Sequence, residues 1–228
     1  MKKLILVRHG QSEWNLSNQF TGWTDVDLSQ KGREEAAEAG RKIREAGLEP
    51  GYCFTSYLKR AIHTLDIALA QMDRDWLPVV KDWHLNERHY GALQGLNKAA
   101  TAEKYGAEQV HIWRRSYDVC PPSLTADDKR NPANDPRYAA LSADELPLTE
   151  SLANTIVRVR PCWSELIVPA LHLYDTVLVV AHGNSLRGLV MMLKHMSADA
   201  IVKEEIPTGV PRVFELDDRL EVVSDKYL

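Results

Sequence analysis

The feature that most constrains the fold is a short apolar run that stops at a cation and an imidazole. Leu4-Ile5-Leu6-Val7 leads directly into Arg8-His9-Gly10-Gln11-Ser12. Strand-forming residues without polar alternation read as a strand buried on both faces, as in a parallel sheet covered by helices. The grammar returns far downstream, where Val177-Leu178-Val179-Val180-Ala181 leads into His182-Gly183-Asn184-Ser185. As parallel strands of one sheet, the two runs would release both His-Gly pairs at the same edge. Ligands of open α/β sheets bind at that carboxyl edge. A third strand, Cys53-Phe54-Thr55-Ser56, continues through Tyr57-Leu58-Lys59 to Arg60 at the start of a helix. The expected fold is α/β and three-layered. A mostly parallel central sheet carries helices on both faces, and the chain end adds an antiparallel strand.

Arg8, Arg60, His9 and His182 together describe a pocket for a phosphoryl group, because guanidinium forks match phosphate oxygens. Taken singly, a histidine after a strand is usually structural and an arginine there is usually solvated. The repetition of His-Gly after two apolar runs favours chemistry. The net charge of −4 over 228 residues, with no basic run, speaks against nucleic-acid binding. A local positive pocket would still attract a small anion. Cys53, Cys120 and Cys162 form no C-x-x-C, so neither zinc nor a disulfide framework is expected. Leu4–Val7 is too short for a leader's apolar core, and no stretch approaches a membrane span. A cytoplasmic protein is expected.

One domain over 1–228 is expected, with an irregular excursion at about 87–150. Gln11 to Thr24 is polar but holds Trp14, Phe20 and Trp23, and reads as a short helix and loop packed around a site. Ser29 caps a helix that buries Ala36, Ala39 and Ile43 and ends at Gly47. The helix after Arg60 buries Ile62, Leu65, Leu69 and Met72, and His63 lies off that stripe as a surface residue. After a strand at Pro78–Lys81, Asp82 to Lys98 is dense in titratable side chains and reads as a loop over a site. Helices are expected from Lys98 to Tyr105 and from Ala107 to about Ser116. Asp118 to Glu150 carries five of the eleven prolines. A long helix from Leu152 to Leu173, kinked at Pro161 and Pro169, should precede the second His-Gly strand. A helix at Leu186–His195 and a hairpin pairing Arg212–Leu216 with Arg219–Val223 complete the expected elements.

Arg8-His9-Gly10-Gln11-Ser12-Glu13-Trp14-Asn15 resembles the phosphohistidine signature of the histidine phosphatase superfamily. Over nearly its whole length the sequence resembles, within that superfamily, the cofactor-dependent phosphoglycerate mutase family. The resemblance implies His9 as phosphoryl acceptor, Glu87 as proton carrier, and His182, Arg8 and Arg60 on the phosphoryl oxygens. It implies substrate contacts from Asn15, Thr21, Gly22, Arg88, Tyr90, Lys98, Arg114, Arg115, Gly183 and Asn184. On residue type alone, Glu87 reads as a salt-bridged carboxylate and Lys98 as a solvated cation. Attack by His9 needs its second ring nitrogen held by an acceptor, expected in a backbone carbonyl near Gly10. A protonated His182 would add positive charge. The expected reaction interconverts 3-phosphoglycerate and 2-phosphoglycerate, primed by 2,3-bisphosphoglycerate and without a metal. The resemblance also implies a homodimer or homotetramer. Closure of the site is expected from the proline-rich excursion, since only five residues follow Val223. A phosphatase of the same superfamily and a phosphate-ligand sensor are the competing functions.

Overall fold

The computed structural model describes residues 1–228. Its centre is a six-stranded sheet of β1 (Lys2–Arg8), β2 (Tyr52–Thr55), β3 (Val79–Lys81), β4 (Thr176–Ala181), β5 (Arg212–Leu216) and β6 (Val222–Tyr227). The strand order is β3-β2-β4-β1-β5-β6. The first four of these pair in parallel, whereas β5 pairs antiparallel with both β1 and β6. Arg8 stands level with Ala181 across the β1–β4 pair. His9 and His182 therefore leave neighbouring strands at one edge, as the repeated motif required.

Nine helices surround the sheet: α1 (Glu13–Leu16), α2 (Gln30–Glu45), α3 (Lys59–Met72), α4 (Lys98–Tyr105), α5 (Ala107–Arg115), α6 (Leu152–Pro161), α7 (Val168–Leu173), α8 (Gly183–Leu193) and α9 (Ala198–Ile201). Successive strand residues point to opposite faces, and both faces are covered. Leu4, Leu6, Val177, Val179 and Phe214 pack with residues of α6, α7 and α8. Ile5, Val7, Leu178, Val180 and Val213 pack with Ala39 and Ile43 of α2 and Leu65, Ala68 and Leu69 of α3. Both faces of β1 and β4 thus need apolar residues, which is why neither run alternates. No helix is long and apolar enough to cross a membrane.

Three boundaries differ from the sequence-based expectation. The long helix is interrupted between α6 and α7 by a π-helical turn, Cys162–Ile167, where the Val168 N–H reaches back five residues to the Trp163 carbonyl. Proline nitrogens at 161 and 169 cannot donate, and the wider turn lies between them. Helix α8 begins at Gly183, two residues before Ser185, with His182 as its N-cap; the Ser185 hydroxyl oxygen accepts the His182 N–H inside the first turn. The closing hairpin has a longer turn, because the Asp217 carboxylate accepts the N–H groups of both Arg219 and Glu221. Its second strand is accordingly β6, not Arg219–Val223. The segment from 118 to 150 holds only short 3₁₀ turns, at Pro132–Asn134 and Pro136–Tyr138. Tyr138 and Leu146 pack there on Trp23.

Candidate active site

His9 and His182 meet at the carboxyl edge, with ring centroids 4.9 Å apart. The Nδ1 of His9 lies 2.7 Å from the Gly10 carbonyl oxygen. A carbonyl only accepts, so Nδ1 holds the ring proton and Nε2 keeps its lone pair. Burial, helped by the Arg60 and Arg8 charges, pushes the imidazole well below its ordinary value. His9 is therefore neutral at physiological pH, the form a nucleophile needs. Gly10 lets the start of α2 pack directly against this turn. A Cβ there would lie 2.1 Å from the Gly32 carbonyl oxygen of α2.

The Nε2 of His182 is 2.7 Å from the Ser56 hydroxyl, which also accepts the Leu58 N–H. When Ser56 donates its own proton to Nε2, Nδ1 becomes a donor, and it is buried without a partner. Burial first, then Arg60, pushes His182 well below its ordinary value too. The expectation of a protonated His182 is thus corrected for the site as it stands. A phosphoryl dianion beside it would shift the balance back toward the charged ring.

Arg8 ends β1 and donates through Nη1 to the Ile206 carbonyl at 2.9 Å. Arg60, in the first turn of α3, donates to the carbonyls of Gly22 at 2.7 Å and Thr24 at 3.0 Å. Gly22 has φ +53°, a conformation disfavoured for a residue with a Cβ. Burial lowers Arg60 to about 10, still cationic at neutral pH. Arg8 Nε, Arg60 Nε and Thr21 Oγ1 are all buried without partners, and their residues line one cavity. Unmade hydrogen bonds of buried donors are costly. An anion with several oxygens would satisfy these.

Glu87 lies in the wall of the same cavity. Its Oε1 accepts from the Arg88 N–H at 2.7 Å, the Asn184 Nδ2 at 2.8 Å and the Asn184 N–H at 3.1 Å. Burial alone would raise its pKa. The Arg88 N–H, the Arg8 charge and the Asn184 amide outweigh burial and hold the carboxyl below its usual range. Asn15, Thr21, Gly22, Tyr90, Lys98, Arg114, Arg115, Gly183 and Asn184 also line the cavity. Burial lowers Lys98, and Arg115 is paired with Glu205.

Arg88 is brought elsewhere. It is fully buried and absent from the lining. Its Nη2 donates to the Trp113 carbonyl at 2.7 Å, and its guanidinium sits 4.4 Å over the Tyr90 ring. It ties the end of α5 to the site loop. His63 also stays out of the cavity, with Nδ1 2.7 Å from Asp27. No residue between 116 and 182 lines the cavity. Arg130 donates to the carbonyls of Ala92 and Gln94, and Tyr138 accepts from the Asn86 amide, so the excursion braces the site loop.

Phe20, expected to pack around a site, is in the lining, which also includes Gln19, Arg187, Glu204, Glu205 and Ile206, residues that sequence reasoning missed. Arg187 carried a signal, as a cation among the apolar residues Leu186, Leu189 and Val190. Glu204 and Glu205 carried none, since their arginine partners, Arg212 and Arg115, become visible only in the fold.

Fold and site together define a phosphohistidine-type pocket at the edge of an α/β sheet. The chain belongs to the histidine phosphatase superfamily (branch 1), whose profile matches residues 4–225. Solved structures share the fold. One is a mycobacterial glucosyl-3-phosphoglycerate phosphatase in complex with VO3, 23% identical with a TM-score of 0.73, covering 100% of this chain and 97% of that one. Another is a putative alpha-ribazole-5'-P phosphatase from Escherichia coli, 21% identical with a TM-score of 0.71 over 96% of this chain and 93% of that one. The alpha-ribazole phosphatase from Shigella flexneri is 22% identical, with a TM-score of 0.70 over 95% of this chain and 92% of that one.

Proposed function

We propose that this protein is a phosphoglycerate mutase, interconverting 3-phosphoglycerate and 2-phosphoglycerate through a phosphoryl group carried on His9 Nε2. The observation that carries this reading is the number of cations in one cavity. Beyond Arg8 and Arg60, which suit one phosphoryl group, Lys98, Arg114, Arg115 and Arg187 line the same space. Hydrolysis of a simple monoester needs one anion site. A phosphoglycerate brings a carboxylate and, during transfer, a second phosphate.

The chemistry follows from the protonation states. With the phosphoryl group on His9, the ionised Glu87 accepts a proton from the attacking glycerate hydroxyl. The N–P bond to His9 breaks as the new P–O bond forms, and His9 recovers its Nε2 lone pair. Transfer from the other position is the reverse: Nε2 attacks phosphorus, the ester P–O bond breaks, and Glu87 returns its proton to the leaving oxygen. Arg8 and Arg60 stay in place while charge moves over the equatorial oxygens, so stabilisation is mainly electrostatic and preorganised.

The priming donor in this reading, 2,3-bisphosphoglycerate, fits the residues present. The unpartnered Arg8 Nε, Arg60 Nε and Thr21 Oγ1 suit one phosphate, and Lys98, Arg114 and Arg115 suit the remaining anionic groups. The reading also carries a metal-free reaction in the cytoplasm and a homodimer or homotetramer.

A phosphatase is the second reading, favoured by what the similar solved structures are called. Water would then attack the phosphoryl group on His9, with Glu87 taking its proton. ³¹P NMR of 3-phosphoglycerate with enzyme and trace 2,3-bisphosphoglycerate separates the two. The mutase reading expects 2-phosphoglycerate to grow in with little inorganic phosphate. Inorganic phosphate as the main product would replace it with the phosphatase reading.

A further inference from the structure

Arg187 has no role in the chemistry above except as one of several cations. It lies in the second turn of α8, buried, with its side chain at the cavity. Its Nη2 is 2.7 Å from the Asn184 Oδ1. A guanidinium has donors only, so Asn184 must turn its oxygen toward Arg187. The amide nitrogen then faces the other way, where it donates to Glu87 Oε1 at 2.8 Å. Which way a side-chain amide points is settled by its hydrogen-bond partners, and here one partner that cannot accept fixes the choice.

We propose that Arg187 is a positioning residue that locks the Asn184 amide and so keeps a donor on Glu87, the proton carrier of the mutase reading on which this inference rests. Other groups also face Glu87: Arg8 from β1, Arg60 from α3, Lys98 from α4, and the Arg88 N–H and Tyr90 on its own loop. The Arg187 charge also reaches Glu87 directly, but it makes no hydrogen bond to Glu87, and the hydrogen-bonded part of its hold acts through Asn184. Without it the amide can rotate and aim oxygen lone pairs at the carboxyl. That favours the protonated acid, which can donate, over the carboxylate, which cannot.

The test titrates Glu87 directly in the full-length protein, by ¹³C NMR of glutamate carboxyl carbons, with E87Q assigning the resonance. R187M, which keeps bulk and loses every donor, should move the midpoint to higher pH. R187K, which still donates, should stay near the wild-type midpoint. In an N184A background R187M should add a clearly smaller shift, left by its charge alone, since the cycle isolates the part that runs through Asn184. An unchanged midpoint in R187M overturns the proposal. So does an equal shift with and without Asn184, which would mean that Arg187 acts by its charge alone. If R187M does not fold, R187L, which likewise has no donor, carries the same expectations. The titration uses no substrate, so a failed mutase assay and a failed Arg187 inference are read separately.

Discussion

Neutral histidines in a site crowded with guanidinium groups have a consequence for stability. Burial lowers His9 and His182 well below their ordinary value and His89 to about 3. The unfolded chain protonates all three near pH 6.5 while the folded chain does not. The unfolded state therefore binds more protons below pH 6.5, and stability is full above that pH and lost as pH falls beneath it. Each residue adds a slope of up to about 1.4 kcal/mol per pH unit. Guanidinium unfolding at pH 7.5, 6.5 and 5.5 should show this loss, and His89→Gln should flatten it; a flat wild-type profile would contradict the burial argument. Arg115 separates binding from stability. It is half-exposed and paired with an exposed Glu205, so Arg115→Ala should change stability by less than about 1 kcal/mol. Losing a charged hydrogen-bond partner of ~1.5–3 kcal/mol should cut mutase turnover about tenfold or more. A thermal melt beside a steady-state assay checks both. At this scale the sequence showed most of the site, because Arg8-His9 and His182-Gly183-Asn184 are contiguous and end strands. It could not show that Glu87 and Tyr90 face the cavity while Arg88 between them packs behind it. Adjacent residues of an irregular loop have no fixed periodicity.

The site loop from Asp82 to Leu96 is held from below by one side chain of α6. Arg158 forms a buried two-point pair with Glu150, at 2.6 and 2.9 Å. It also donates to the carbonyls of His84 at 2.6 Å, Glu87 at 3.1 Å and Asn86 at 3.2 Å. Glu150 in turn accepts the His89 N–H at 2.8 Å. Removing one member of a buried pair strands the other charge, so Arg158→Met should destabilise the fold by about 3–5 kcal/mol. Replacing both, as R158M with E150L, should cost less than R158M alone. Denaturant midpoints of the three proteins measure this, and an additive double variant would contradict it. The same loop shows why element roles are harder to read than element positions. Prolines from 121 to 147 correctly mark an irregular segment, since they cannot donate in a ladder or a helix. They say nothing of its direction. Its docking depends on Arg130 and Tyr138 finding partners at Gln94 and Asn86, contacts with no trace in local pattern.

The molecule as a whole is acidic, with a net charge of −4, yet one cavity gathers six of its arginine and lysine side chains against three glutamates. An anionic substrate should be drawn to that cavity, so kcat/KM should fall as ionic strength rises from about 0.05 to about 0.5 M, with kcat less affected. Insensitivity of kcat/KM to salt would count against the steering. The sheet that builds this cavity was legible in two apolar runs because both are buried on both faces; the placing of β2 and β3 beyond β4 was not, because crossover connections leave no periodic mark. The central claim is that this edge presents a neutral His9 Nε2 as the phosphoryl acceptor. Rapid quench with 2,3-bisphosphoglycerate carrying ³²P in both phosphates, followed by peptide mapping, tests it most directly. The account predicts an acid-labile, base-stable label on His9 that is absent from His9→Ala and that later substrate removes. A label on His182, or one that persists in His9→Ala, would contradict it.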